Sequence, residues 1–140
     1  TQSDFASSYV SNAIQLQKKE AVVRENLFDT EGGMLTSKEF AKILGTGSNA
    51  VSNYYKSGKL LGYKPVEGKT TKRLYGRWQI FDGQLLPGLA KVKEVIGNDI
   101  LAMRFLLLEN ELAGNRKPLD LLREGKTEQV VSLGNRIMGK

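Results

Sequence analysis

Ser48, Asn49, Ser52, Asn53 and Lys56 recur at i, i+1, i+4, i+5 and i+8, a spacing that lines all five along one side of an α-helix. Side chains of these types bond base edges: an asparagine amide can pair bidentately with adenine, while serine hydroxyls and a lysine reach bases or phosphates. The stripe sits in "LGTGSNAVSNYYKSGKL", residues 44 to 60, whose glycines suit either a loop that cradles a nucleotide phosphate or a tight turn between two helices. A nucleotide loop needs a strand before it and a lysine followed by Ser or Thr opening a long helix. Here a helical pattern precedes the glycines and no such lysine follows, so the stretch reads as a turn between helices.

Other chemistry is narrowed by what the 140 residues lack. With no cysteine and no histidine the sequence offers no disulfide, no thiolate or imidazole metal ligand, and no Cys/His or Ser/His/Asp catalytic set. Carboxylates such as Glu109, Glu111 and Asp120 fall among basic residues on faces that read as exposed, where they solvate helices. The expectation is a protein that is not an enzyme and needs no cofactor or metal. No apolar run is long enough for a spanning helix and the first 30 residues lack a signal-peptide layout, which predicts a cytoplasmic chain with no membrane partner.

Charge points to a polyanion. The net charge is +6, and its distribution is uneven: residues 1–34 sum to −2, residues 35–81 to +7 and residues 82–140 to +1. The excess therefore coincides with the stretch that carries the polar stripe.

The elements around the stripe follow from local signals. "LTSKEFAKILG" opens with a capping box, Thr36 with Glu39, and predicts a short helix to Leu44 buried through Phe40, Ala41, Ile43 and Leu44, with Gly45 taking the left-handed conformation at its end. A second helix begins near Gly47 or Ser48 and ends at Gly58, with Ala50, Val51, Tyr54 and Tyr55 inward. Beyond it, Tyr63–Val66 and Lys72–Phe81 are predicted to pair as a hairpin around "EGKT", with Leu74, Trp78 and Ile80 on one face and Arg77 and Gln79 on the other. Trp78 is expected to anchor a core under this hairpin, and Lys69, Lys72, Arg73 and Arg77 to hold phosphates or an adjacent minor groove.

Outside this region, residues 3–28 read as one amphipathic helix used for packing or dimerisation. Asp82 is expected to cap a helix over Gln84–Ile96 with Pro87 in its first turn. "DILAMRFLLLENEL" predicts a further helix with an extended apolar face, and "LDLLREG" and "TEQVVSLGNRIMG" two short ones that close a small bundle.

Two helices joined by a glycine turn and followed by a basic hairpin describe a winged helix-turn-helix. On Leu35, Thr36, Ala41, Leu44, Gly45, Val51, Gly58, Lys59, Leu60, Arg77 and Trp78 the segment resembles the MerR/excisionase type of winged helix. Gly47 stands where a small hydroxyl cap is usual in that family, which moves the expected cap to Ser48. The C-terminal segment resembles the Xre/MbcA/ParS-type antitoxin module on Leu112, Gly114, Pro118, Leu119, Leu121, Leu122, Gly125, Val130, Val131 and Gly139, with Phe105 where a tryptophan is usual. The second resemblance implies a homodimer that represses its own operon and a toxin protein with a RES domain as partner.

The expectation is a mostly α protein in three parts: an N-terminal helix (1–34), a winged helix-turn-helix with a small β-hairpin wing (35–81), and a helical dimerisation or partner-binding module (82–140). Its expected function is sequence-specific binding of double-stranded DNA as a transcriptional autorepressor. Two alternatives stand beside it: an excisionase-like architectural DNA binder, and an antitoxin acting mainly by inhibiting a toxin enzyme.

Overall fold

The structure is a computed structural model, and it describes residues 27–64 and 72–140. The long N-terminal helix expected over 3–28 therefore lies outside the described residues except at its end, where Leu27 and Phe28 are helical and Phe28 is buried. The "EGKT" turn and Lys69 lie outside them as well. The protein is mostly helical, a winged helix-turn-helix with a small antiparallel sheet joined to a C-terminal helical module.

The winged part runs β1 (Met34–Thr36), α1 (Ser37–Leu44), α2 (Ser48–Lys56), β2 (Gly62–Tyr63) and β3 (Leu74–Gly76). β3 is the central strand: Tyr75 pairs with Leu35 of β1 on one side and Gly62 of β2 on the other, both antiparallel. No sequence pattern predicts β1, which ties the start of α1 to the wing. Phe40, Ala41, Val51, Leu60 and Tyr75 form a small buried core between the helix pair and the sheet. Ile43, expected inward, is instead 42% exposed.

The hairpin departs from its predicted alternation. β3 stops at Gly76, and Arg77–Gln79 form a 3-10 turn that buries both Trp78 and Gln79. Two local causes are visible. Trp78 folds back on Gly76, where a Cβ would lie 2.1 Å from its Nε1, so the close approach depends on glycine. Gln79 turns inward because its amide replaces strand pairing for Leu61, as described below. Trp78 is a core anchor, but of the C-terminal module's larger core and not of the wing's.

Asp82 does not cap a helix. Asp82 and Gly83 both have positive φ (57° and 76°) and turn the hairpin of β4 (Ile80–Phe81) and β5 (Gln84–Leu85), as an Asp-Gly pair does in a two-residue hairpin loop. The next helix, α3 (Leu89–Ile96), starts only after Pro87, with Gly88 as its N-cap. It is followed by α4 (Asp99–Leu107), a 3-10 turn (Glu111–Ala113), α5 (Pro118–Arg123) and α6 (Thr127–Ile137). α3 and α6 pack closely at Gly134, where a Cβ would approach Val95 to 3.1 Å.

The larger core unites Val92, Met103, Leu106, Leu119, Leu122 and Val130 of the module with Leu61 and Trp78 from the winged part and Phe28 from the segment before it. This shared core fixes the module against the wing. It also absorbs most of the apolar surplus of residues 99–122, leaving Leu101, Leu108 and Leu112 exposed at 47%, 47% and 54%. Among the described residues no helix is long and apolar enough to cross a membrane.

Candidate nucleic-acid interface

The candidate interface is built on α2, and α1 sets its position. At the start of α1 the Thr36 N–H donates to Glu39 Oε1 (3.0 Å) and the Glu39 N–H donates to Thr36 Oγ1 (3.2 Å), the expected capping box. The bond from the Thr36 N–H holds the Glu39 carboxyl below the usual carboxylate range. Gly45, at φ 81°, ends α1 in the left-handed conformation as expected, and its N–H donates to the Ala41 carbonyl (2.9 Å). Only Thr46 and Gly47 remain before α2 begins, and the two helices pack together through Phe40, Ala41 and Val51.

The N-cap of α2 is Gly47, at the position where the resembled family has its cap, and not Ser48; it makes no side-chain cap bond. Val51 is fully buried; Ala50, Tyr54 and Tyr55 are half-buried on the same inward side. On the opposite side Ser48, Asn49, Asn53 and Lys56 are exposed and Ser52 is half-buried, so the polar stripe is brought together on an accessible face.

The basic residues divide into two places. Lys72 is exposed and Arg73 half-buried at the start of β3, and the Arg73 guanidinium lies over the Tyr55 ring, 3.9 Å from its centroid. That stacking joins the wing to the end of α2. Arg77 is exposed at the far end of β3, roughly 13 Å of strand away at the usual rise per residue. There its N–H donates to the Gly33 carbonyl (3.0 Å) and its stem crowds Gly32. Arg73 and Arg77 thus flank the sheet instead of forming one cluster.

Tyr55 does more than the inward packing that its helical position predicts. Its ring also carries Lys93 of α3 at 5.1 Å from the centroid and meets Tyr75 edge-on at 6.1 Å. No local pattern announces this, because Lys93 and Arg73 both reach it from distant parts of the chain.

No protein-family model and no curated protein sequence matches the chain. Among solved structures, the NMR structure of Rv2175c is similar, with a TM-score of 0.63 over 78% of this chain and 83% of that chain, at 17% identity. At that identity the likeness is one of fold.

Proposed function

We propose that the chain binds double-stranded DNA sequence-specifically and acts as a transcriptional repressor, in the simplest case of its own operon, in the bacterial cytoplasm and without enzymatic activity. The observation that carries this reading is the exposed stripe of Ser48, Asn49, Asn53 and Lys56 on the second helix of a helix-turn-helix, with Arg73 of the wing stacked on Tyr55 at the end of the same helix. In the proposed complex α2 enters the major groove, Asn49 and Asn53 read adenine edges, and Ser48, Ser52 and Lys56 reach bases or phosphates. Lys72, Arg73 and Arg77 hold the backbone on either side, and Lys69 is assigned the same role from sequence. The first-turn N–H groups of α2, left without a side-chain cap, suit a further phosphate.

A single winged helix reads too few base pairs to select one promoter in a genome, so the reading includes a homodimer on two half-sites. Leu101, Leu108 and Leu112, on α4 and just after it, supply the exposed apolar side chains for that seam. The same leucines suit a heterologous partner, which keeps the antitoxin-type reading, a complex with a toxin protein, as the second one. The test is selection of duplexes from a random library by the full chain, with light scattering on the free protein and on the complex. Enrichment of a palindromic site bound by two copies is expected. Recovery of no preferred sequence would overturn the reading. Tandem sites with strong bending would favour the excisionase-like alternative.

A further inference from the structure

Where the winged part meets the C-terminal module there is a cleft of about 360 Å3, walled by Tyr55 of α2, Lys64 after β2, Arg73, Lys93 of α3 and Asp99 of α4. Among the described residues, three cations and one carboxylate face it. Both Asp99 oxygens are engaged, Oδ1 with Lys93 Nζ at 2.8 Å and Oδ2 as acceptor of the Gly62 N–H at 3.0 Å. Asp99 thereby offsets one positive charge, and neither Lys64 nor Arg73 forms an ion pair among the described residues. The described residues leave the cleft a surplus of two positive charges.

Its geometry suits one small oxyanion. Arg73 and Lys93 converge on the same Tyr55 ring at 3.9 Å and 5.1 Å, so their charges are no further apart than those two distances together. Both residues also line the cleft, so a phosphate in it is attracted by both. Arg73 is arranged before any ligand arrives: its guanidinium rests on the ring, and its stem lies over Gly62, where a Cβ would come within 2.9 Å of Arg73 Cδ. A guanidinium held this way presents its planar donor fork at little further entropic cost.

We propose that this cleft binds a phosphate group through Lys64 and Arg73 from the wing and Lys93 from the C-terminal module. Two sources carry that chemistry. One is a backbone phosphate of a bound duplex, in which case the inference rests on the DNA-binding reading and extends the DNA-facing surface into the module. The other is a free phosphorylated small molecule.

The test uses the full, isotope-labelled chain, titrated at constant ionic strength with inorganic phosphate and, separately, with a mixed-sequence DNA duplex. Phosphate is expected to move the amide resonances of Gly62, Tyr63 and Ile100 along a saturable curve that sodium chloride does not reproduce. Lys93→Gln is expected to abolish saturation, whereas Lys91→Gln, on the same helix but paired with Glu128, retains it. Because Lys93→Gln also breaks the pair with Asp99, Lys64→Gln serves as a second variant. It is expected to weaken phosphate severalfold with an unchanged unfolding midpoint.

Duplex affinity then separates the sources. A loss of about tenfold in Lys93→Gln relative to Lys91→Gln, with the salt slope reduced by about 0.9, assigns the phosphate to DNA. Equal duplex affinities with a saturable phosphate response assign it to a free ligand. Equal duplex affinities with no saturable phosphate response overturn the proposal. Failure of the unaltered chain to bind any duplex overturns the DNA reading alone, and the phosphate titration still decides the cleft.

Discussion

Gln79 and Leu61 bond each other twice: Gln79 Nε2 donates to the Leu61 carbonyl and the Leu61 N–H donates to Gln79 Oε1, both at 2.7 Å and both buried. The side-chain amide acts as a strand partner at the point where β3 has already turned away. It fixes the start of β2, and hence the wing, to the 3-10 turn that carries Trp78. Gln79→Leu keeps the volume but leaves a buried N–H and carbonyl without partners. It is expected to lower stability by about 3 kcal/mol in urea unfolding; a loss within experimental error would contradict this role.

Gly76 and Gly47 provide a contrast between a glycine that is required and one that is not. A Cβ at Gly76 would overlap the Trp78 indole, whereas nothing lies within 4 Å of one at Gly47, whose φ is −97°. Gly76→Ala is expected to cost about 3 kcal/mol by displacing Trp78 from the core. Gly47→Ser adds the missing cap to α2 and is expected to stabilise by about a few tenths of a kcal/mol. Thermal unfolding of the two variants compares them directly.

Glu31 links the segment before β1 to the module. Lys117 Nζ donates to its Oε1 at 2.9 Å and Arg123 to its Oε2 at 3.2 Å, and the Lys117 bond is the main reason its carboxyl is held below the ordinary value near 4.5. A carboxyl depressed on folding stabilises the fold fully above its unfolded pKa, and that contribution is lost as pH falls through the folded value. Wild type and Glu31→Gln are therefore expected to differ by about 1 kcal/mol at neutral pH and to converge as the pH drops below 4.5. A gap that persists in acid would mean that the substitution perturbs the turn and not the ion pairs.

The wing makes a separate electrostatic prediction. Log affinity for duplex should fall with log salt by about 0.9 for each phosphate neutralised. Arg73→Ala and Arg77→Ala should each flatten that slope by about one contact while leaving the preferred sequence alone. Unchanged slopes would remove the wing from the interface.

What the sequence reveals and what it hides divide along contact range. The capping box at Thr36 and Glu39, the left-handed Gly45 and the exposed stripe on α2 are legible, because each depends on residues within one or two helical turns. Asp82 reads two ways because aspartate suits both a helix cap and a type I′ hairpin turn, and the following Gly83 decides for the turn. The inward turn of Gln79 and the convergence of Arg73 and Lys93 on Tyr55 stay hidden, since their partners lie at least 18 residues away in the chain. Alternation along a strand also says nothing about where the strand stops, and Gly76 stops this one.

The central claim is that the stripe on α2 reads bases, and discrimination between two DNAs measures it most directly. The affinities of wild type, Asn49→Ala and Asn53→Ala are compared on the selected duplex and on random duplex at one salt concentration. Each variant is expected to lose about 1–3 kcal/mol on the selected site and far less on random DNA, because a base contact carries sequence discrimination and a phosphate contact does not. Equal losses on both duplexes, or none on either, would contradict the account.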